Sequence, residues 1–269
     1  MISEAFEYRR AASVDEALQE VGAGAVPLAG GHSLVPALKL RLSAPGTLVD
    51  IGRIAELRGI RMDGGTLVIG ATTRHQDVAS SPEVRAEAAA LASAAPQIGD
   101  QMVRNRGTIG GSAAQADPHA DIPAVLLALG AEIVARGASG ERRIPADQFF
   151  TGYYTTALQP GELITQIRVP GGQSKGAYVK FSRRMQDWAI VGAAVSRGQG
   201  GWRVALTGMG PTPLRAAGVE QALARGASAA DAAALAAEGT SPVDGLEGSV
   251  EYKRHLATVL VRRALETAQ

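Results

Sequence analysis

The sequence predicts an α+β protein made of two mixed segments that divide near residue 173. Three observations lead there. Short apolar runs alternate with helical patterns along the whole chain. The stretch Gly171-Gly172-Gln173-Ser174-Lys175-Gly176 is its clearest linker, separating residues 1–172 from 173–269. The 269 residues are 46% hydrophobic and 20% charged, a globular balance with enough chain for one large or two ordinary domains.

The elements follow in order. Residues 13–21 read as a helix with Ser13 as N-cap and Glu16 completing a capping box; Gly22 and Gly24 end it. Val26 to Leu28 is a short strand. Residues 34–42 read as a helix with Pro36 in its first turn. Strands are expected at 48–51 and 66–71. A helix begins at Arg74, and an Ala-rich helix over 82–95 is stopped by Pro96. Residues 122–129 are apolar and helical with Pro123 in the first turn, and 131–136 form a strand. Residues 163–169 alternate as a strand. Beyond the linker, strands are expected at 177–181, 189–196 and 202–207, with helices near 218–225 and 229–238. An amphipathic helix closes the chain over 249–268, with Tyr252, Leu256, Val259, Leu260 and Leu265 on one face.

Composition excludes several classes of chemistry. The chain has no cysteine, so it has no disulfide, thiolate zinc site, cysteine nucleophile or Cys-ligated iron–sulfur cluster. A net charge of +1 and 4% aromatic residues argue against a nucleic-acid partner. Residues 1–10 lack a signal-peptide pattern, and no apolar run reaches the ~18 residues of a membrane span. The 33 glycines are the informative excess.

Two adjacent glycine pairs, Gly30-Gly31 and Gly110-Gly111, sit in motifs that could carry chemistry. Ala29-Gly30-Gly31-His32-Ser33 lies between a strand and a helix, where consecutive amides can form an anion-binding nest. A bare strand-to-helix turn is the rival reading. Thr108-Ile109-Gly110-Gly111-Ser112 has the same character, and two nests suit a pyrophosphate. Asp117-Pro118-His119-Ala120-Asp121 admits three readings: a metal site, a helix cap at Asp121, or a cap that also touches a ligand. A dinucleotide fingerprint of the Rossmann kind is absent, because Pro27 replaces the third glycine after Gly22 and Gly24. No P-loop and no GxSxG elbow occur. The four histidines show no metal-ligand spacing and read as surface or hydrogen-bonding residues.

The whole chain resembles the FAD-binding medium subunits of molybdenum hydroxylases, a family that includes carbon monoxide dehydrogenase medium chains and the xanthine dehydrogenase flavin domain. The resemblance rests on AGGHS at 29–33, GATT at 70–73, TIGGS at 108–112, DPHADIPAVLLALGA at 117–131, FFTGYYTTAL at 149–158, PGELITQIRVP at 160–170, YVKFSRRMQDWAIVGAAV at 178–195 and MGPTPLRA at 209–216. It implies a vanillyl-alcohol-oxidase (PCMH)-type FAD-binding domain over 1–172, with subdomains at about 1–55 and 56–172. A smaller α+β domain over 173–269 packs alongside.

The resemblance also implies FAD as cofactor. Leu28, Ala29, Gly30, Gly31, His32, Ser33 and Leu34, with Thr72, Gly107, Thr108, Ile109, Gly110, Gly111 and Ser112, would hold it, the two glycine loops binding the pyrophosphate through backbone amides. Thr108 and Asp121 would serve the ADP-ribose side, Asp117 would also bind the cofactor, and Ile164 would pack on it. Lys180, Asp187 and Trp188 would lie near the isoalloxazine. His32 and Gln115 depart from common residues of the family. Trp188 is either core packing or a cover over the flavin. No catalytic acid, base or metal ligand is expected. The expected role is electron transfer: from [2Fe–2S] clusters of a small subunit, in a dimer of heterotrimers with a molybdopterin-binding large subunit, to an external acceptor. The expected location is the cytoplasm, peripheral to the inner membrane through the complex. The alternatives are a self-contained FAD oxidoreductase and a scaffold that has lost FAD.

Overall fold

The computed structural model describes residues 3–268. The first unit contains β1 (Glu7–Arg10), α1 (Val14–Gly22), β2 (Val26–Leu28), α2 (Leu34–Lys39) and β3 (Thr47–Asp50). Its three strands are parallel, in the order β1-β3-β2. Val14, Ala17 and Val21 of α1 bury against Val49, Ile51 and Ile54. Ser13 Oγ accepts from Glu16 N at 3.2 Å. The Glu16 carboxylate accepts from Ala12 N at 2.7 Å, one residue before the expected partner. The helix expected to reach Leu42 stops at Lys39, because Arg41 takes a left-handed φ of 58°. The charged strand β1 has no apolar alternation and was not foreseen.

The second unit runs through β4 (Ile60–Asp63), β5 (Thr66–Gly70), α3 (His75–Ser80), α4 (Pro82–Glu87), α5 (Ala89–Ala94), α6 (Gln101–Arg104), α7 (Ile109–Gln115) and α8 (Asp121–Leu129). It continues with β6 (Glu132–Gly137), β7 (Gly140–Pro145), α9 (Ala146–Phe149), β8 (Phe150–Gly152), β9 (Thr155–Thr156) and β10 (Leu163–Pro170). Its main sheet is antiparallel, ordered β4-β5-β10-β6-β7. Strand β10 is central, with a register shift between Ile164 and Gln166. Gly64 and Gly65, at φ 53° and 81°, make the two-residue hairpin between β4 and β5 that only positive φ at both positions allows.

Two helical expectations need correction here. The Ala-rich helix over 82–95 is broken at Ala88, whose φ and ψ are −148° and 65°. Gln173 enters there like a strand: its N–H donates to Glu87 O at 3.1 Å and its carbonyl accepts from Ala89 N at 3.0 Å. Pro96 then sits inside a short 3₁₀ turn over Ala95–Gln97. The expected cap at Asp121 is displaced by one residue. Ala120 is the N-cap of α8, and Asp121 is its first helical residue, with its carboxylate turned elsewhere.

The third unit holds β11 (Lys175–Phe181), β12 (Val191–Gly198), β13 (Gly201–Thr207), β14 (Leu214–Arg215), α10 (Ala217–Ala224), α11 (Ala229–Ala233) and α12 (Val250–Thr267). The strands are antiparallel, in chain order. Both faces of this sheet are buried. Ala177, Ala193, Val195, Val204 and Leu206 pack with Leu256, Leu260 and Val261 of α12. The alternate residues Tyr178, Ala194 and Ala205 join the core of the second unit, beside α5 and α8. The period of two thus splits one sheet between two cores. The buried stripe of α12 is Lys253, Leu256, Ala257, Leu260, Val261, Ala264 and Leu265. It differs from the expected face: Tyr252 is exposed and meets Phe181 edge-to-face, and Val259 is half-buried. Lys253 is tolerated inside because its Nζ donates to Val243 O at 2.9 Å. Helix α11 ends five residues short of the expected Glu238.

Gln173 ties the second and third units together. Its buried Nε2 donates to Leu129 O at 3.0 Å and Pro170 O at 2.8 Å, and its Oε1 accepts from Ser196 Oγ at 2.7 Å. Gln173→Leu leaves three buried groups without partners and is expected to cost about 2–3 kcal/mol of stability. Urea unfolding checks this; an unchanged midpoint would contradict it.

Candidate functional site

A cleft of about 570 Å³ opens where the three units meet. The first supplies the 29–34 loop, the second supplies Thr72, Gly107, Thr108, α7, Asp117, Asp121 and Ile164, and the third supplies Lys180 and residues 186–188. Every residue assigned above to the cofactor lines it except two. Ile109 is fully buried in the core beneath α7. Leu28 stays in β2 and packs under Gly31, its Cδ1 3.5 Å from where a Gly31 Cβ would stand.

The first glycine pair forms an open nest. Gly31 takes φ 79°, and among the described residues no protein acceptor receives the amides of Gly30, Gly31, His32 or Ser33. The Ser33 hydroxyl does not cap α2. Four amides and one hydroxyl are therefore available to an anion. The second pair behaves differently from expectation. It lies in the first turn of α7, and its amides are already committed. Ile109 N donates to Thr73 O at 3.0 Å, Gly110 N to Ala71 O at 2.9 Å, Gly111 N to Thr108 Oγ1 at 3.2 Å and Ser112 N to Thr108 O at 3.0 Å. The helix forms because Thr108 caps it, and capping closes the nest. What this turn shows the cleft is the Ser112 hydroxyl and a surface without side chains.

Glycine serves close approach at three points in a row. A Cβ on Gly30 would strike Arg106 O and stand 2.8 Å from Gly107 Cα. A Cβ on Gly107 would meet His75 Cδ2 at 2.9 Å, and one on Gly110 would meet Ala71 O at 2.7 Å. The first loop thus lies directly on the backbone of the second, which lies on the His75 ring.

The segment from Asp117 to Asp121 is held by the third unit. Asp117 Oδ1 accepts from His119 N at 2.8 Å, and His119 Nδ1 bonds Ala189 O at 2.8 Å. Thr207 Oγ1 donates to Pro118 O and Ala120 O. Asp121 Oδ1 accepts from Tyr178 Oη at 2.5 Å and Oδ2 from Lys180 Nζ at 2.9 Å. Gly192 lacks the side chain that would otherwise occupy the place of the Tyr178 hydroxyl. The three candidate metal ligands thus face different partners, and no group of three His, Asp or Glu suited to a metal occurs among the described residues. Burial raises the Asp121 carboxyl above its ordinary range, against the pull of Lys180 and Tyr178. Burial and the adjacent Asp121 push the Tyr178 phenol well up, so it stays a donor. Asp121 and Lys180 were expected at opposite ends of the cofactor. Their ion pair places them at one point.

Residues 186–188 form the rim. Gln186 takes φ 81°, Asp187 O accepts from Lys180 Nζ at 3.2 Å, and Met185 is 90% exposed. Trp188 is 56% exposed and lines the cleft, which overturns its reading as core packing. Thr72 is buried, its hydroxyl donating to Leu57 O at 2.9 Å. The apolar lining from Ile98, Val103, Leu158 and Leu163 escaped notice because the four are dispersed in sequence. His75 was also missed, having been read as a surface or hydrogen-bonding residue. It is 5% exposed, its Nδ1 has no partner, and it lines the cleft. Burial, with His32 and Arg104 nearby, lowers its pKa to about 4.

Free amides at one end, an apolar wall and a buried Lys–Asp pair suit a large anionic cofactor with a flat ring. The comparisons agree with that geometry. Residues 4–172 match the FAD binding domain in molybdopterin dehydrogenase, and residues 176–268 match the CO dehydrogenase flavoprotein C-terminal domain. The chain belongs to this flavoprotein family. Its cofactor is FAD, and it is part of an oxidoreductase. The flavoprotein is 45% identical to the carbon monoxide dehydrogenase medium chain of Hydrogenophaga pseudoflava, covering 100% of this chain and 98% of that one. It is 39% identical to the 6-hydroxypseudooxynicotine dehydrogenase complex subunit alpha of Paenarthrobacter nicotinovorans, over 98% and 94%. Quinoline 2-oxidoreductase of Pseudomonas putida 86 superposes with a TM-score of 0.93 at 32% identity, over 100% and 98%. The expected α+β FAD-binding fold with its C-terminal domain holds.

Gly30→Ala is expected to lower the melting temperature of the FAD-free flavoprotein, because its new methyl meets protein backbone and no ligand is needed for the clash. Equal melting temperatures would count against the loop contact. A second expectation concerns acid. Unfolded, His75 titrates near 6.5; folded, near 4. The unfolded state binds the extra proton between these values, so stability falls as pH drops from 6.5 to 4, by about 3 kcal/mol for this residue. Urea midpoints from pH 7 to pH 4 should fall less steeply in His75→Gln than in the unaltered chain.

Proposed function

We propose that this chain is the electron-transfer subunit of a molybdenum hydroxylase complex. It takes electrons from [2Fe–2S] clusters of a small partner subunit and passes them to an external acceptor. Substrate is hydroxylated on a molybdopterin-binding large subunit, and the complex is a dimer of heterotrimers. The chain works in the cytoplasm, reaching the inner membrane only as a periphery of its complex. Among the described residues no helix is long and apolar enough to cross a membrane.

One observation carries the reading: a single cleft brings the free amides of the 29–34 loop together with an exposed, indole-bearing rim. FAD, when bound, supplies electron exchange between one- and two-electron partners. The 29–34 loop binds the pyrophosphate through the amides of Gly30 to Ser33. Gly107, Thr108, Gly110, Gly111 and Ser112 give the cofactor a smooth floor beside it. Asp117 offers its carboxylate to hydroxyl or amino groups, and the Asp121–Lys180 pair presents one fixed cation to a developing negative charge. Ile164 would pack on the cofactor, and Trp188, exposed at the rim, would cover the flavin. We divide the chain at residues 172 and 173, with the second unit beginning near residue 56; the change of sheet between β10 and β11 supports this division, although Tyr178, Ala194 and Ala205 pack into the second unit's core. The relatives act on unlike substrates by their names, which fits a subunit that does not choose the substrate.

The test is purification of the tagged chain from its own host, with a visible spectrum and metal analysis. The expected preparation is yellow and brings with it subunits containing iron and molybdenum. A colourless chain that cannot be reconstituted with FAD would overturn the reading. A yellow chain that oxidises a substrate unaided would favour the self-contained oxidoreductase instead.

A further inference from the structure

His75 is the one buried histidine, and its place in the cleft has no structural explanation of its own. Its backbone N–H donates to Gly107 O at 2.9 Å, which fixes the start of α3 against the second glycine loop. That contact needs no imidazole. The ring rests on Gly107, whose missing Cβ makes room for it. A leucine of similar volume would fill this space without stranding a polar atom. Yet Nδ1 is buried with no protein partner, and an unpartnered buried polar atom costs about 1–3 kcal/mol. Such a group in a ligand cleft calls for an explanation outside the protein's own packing.

The ring's protonation follows from its surroundings. His32 from the first loop and Arg104 from α6 face it, and both oppose a positive charge there. Helix α5 and the 95–97 turn, also packed on α3, bring no charged residue. The imidazole is therefore neutral and carries one N–H. An orphaned buried N–H is rarer than an orphaned acceptor, so the proton sits on Nε2 and Nδ1 is the bare nitrogen. Nε2 lies on the Gly107 side of the ring, 3.2 Å from where a Gly107 Cβ would stand. Gly30 lies on the other side of that same backbone. The donor and the first loop thus flank one stretch of backbone, and both line the same cleft.

We infer that His75 is a binding residue for the cofactor, its Nε2–H donating to the pyrophosphate-bearing stretch of FAD beside the Gly30–Ser33 amides. The inference rests on the FAD reading and extends it to a residue that no motif marks. In this arrangement the second loop contributes to anion binding through the ring it supports, since its own amides are committed.

The experiment titrates FAD into the FAD-stripped full-length chain at pH 7, following quenching of flavin fluorescence. His75→Leu is expected to weaken FAD binding about ten-fold, the effect of one hydrogen bond to a charged group. His75→Gln keeps an N–H at the Nε position and should recover most of the affinity. In unaltered protein labelled with ¹⁵N-imidazole, the Nε2–H signal of His75 should shift with FAD and stay in place with riboflavin, which lacks the pyrophosphate. Unchanged affinity in a folded His75→Leu chain overturns the inference, as does an Nε2 signal that FAD leaves unmoved. Should His75→Leu not fold, the labelled signal decides alone. If the unaltered chain takes up no FAD at all, the cofactor reading itself fails and this inference falls with it.

Discussion

The site depends on backbone touching backbone. Where Gly30 meets Arg106 and Gly107, two loops from different units approach more closely than any side chain permits. That contact sets the distance between the open nest and the floor formed by α7. Glycine is required there for want of space, since Gly30 and Gly107 do not take positive φ. Only Gly31, at φ 79°, is a conformational requirement. The two kinds of glycine sit side by side and fail differently when replaced: one by collision, the other by strain.

The Asp121–Lys180–Tyr178 cluster does at the far wall what the glycines do at the near one. A buried ion pair adds little net stability, because desolvation offsets the attraction. Its value lies in position. Asp121 opens α8, Tyr178 and Lys180 alternate along β11, and their meeting fixes the third unit against the second at one register. Slipping β11 by one residue would turn Tyr178 and Lys180 to the opposite face of the sheet and leave Asp121 buried and alone. The cleft therefore has a wall whose placement is specified by charge.

Much of this was legible in the chain. The strands with clean alternation and the long terminal helix were readable because periodicity and turn residues agree there, whereas the stretch read as a linker over 171–176 holds the buried Gln173 and the start of β11. The polar edge strands β1, β4 and β7 were not, since an exposed edge needs no apolar alternation. The break at Ala88 was hidden as well, because the alanines on both sides favour helix and the cause, Gln173, lies 85 residues away. In the site, nearly all the named residues do line the cleft. What the motif could not show was the use of each amide. Two glycine pairs look alike in sequence, yet Thr108 caps one helix with its side chain and Ser33 leaves the other uncapped. His75 was invisible because nothing in its neighbours signals burial.

The sheet of the third unit, with one face in its own core and the other in the core of the second, has a consequence for the order of events in the cell. Lys180 lies in β11, which pairs with β12, and the 186–188 rim lies in the connection between these two strands. The cleft is therefore unfinished while the last third of the chain is still being synthesised. The C-terminal third thus acts as the final fastening of the cleft.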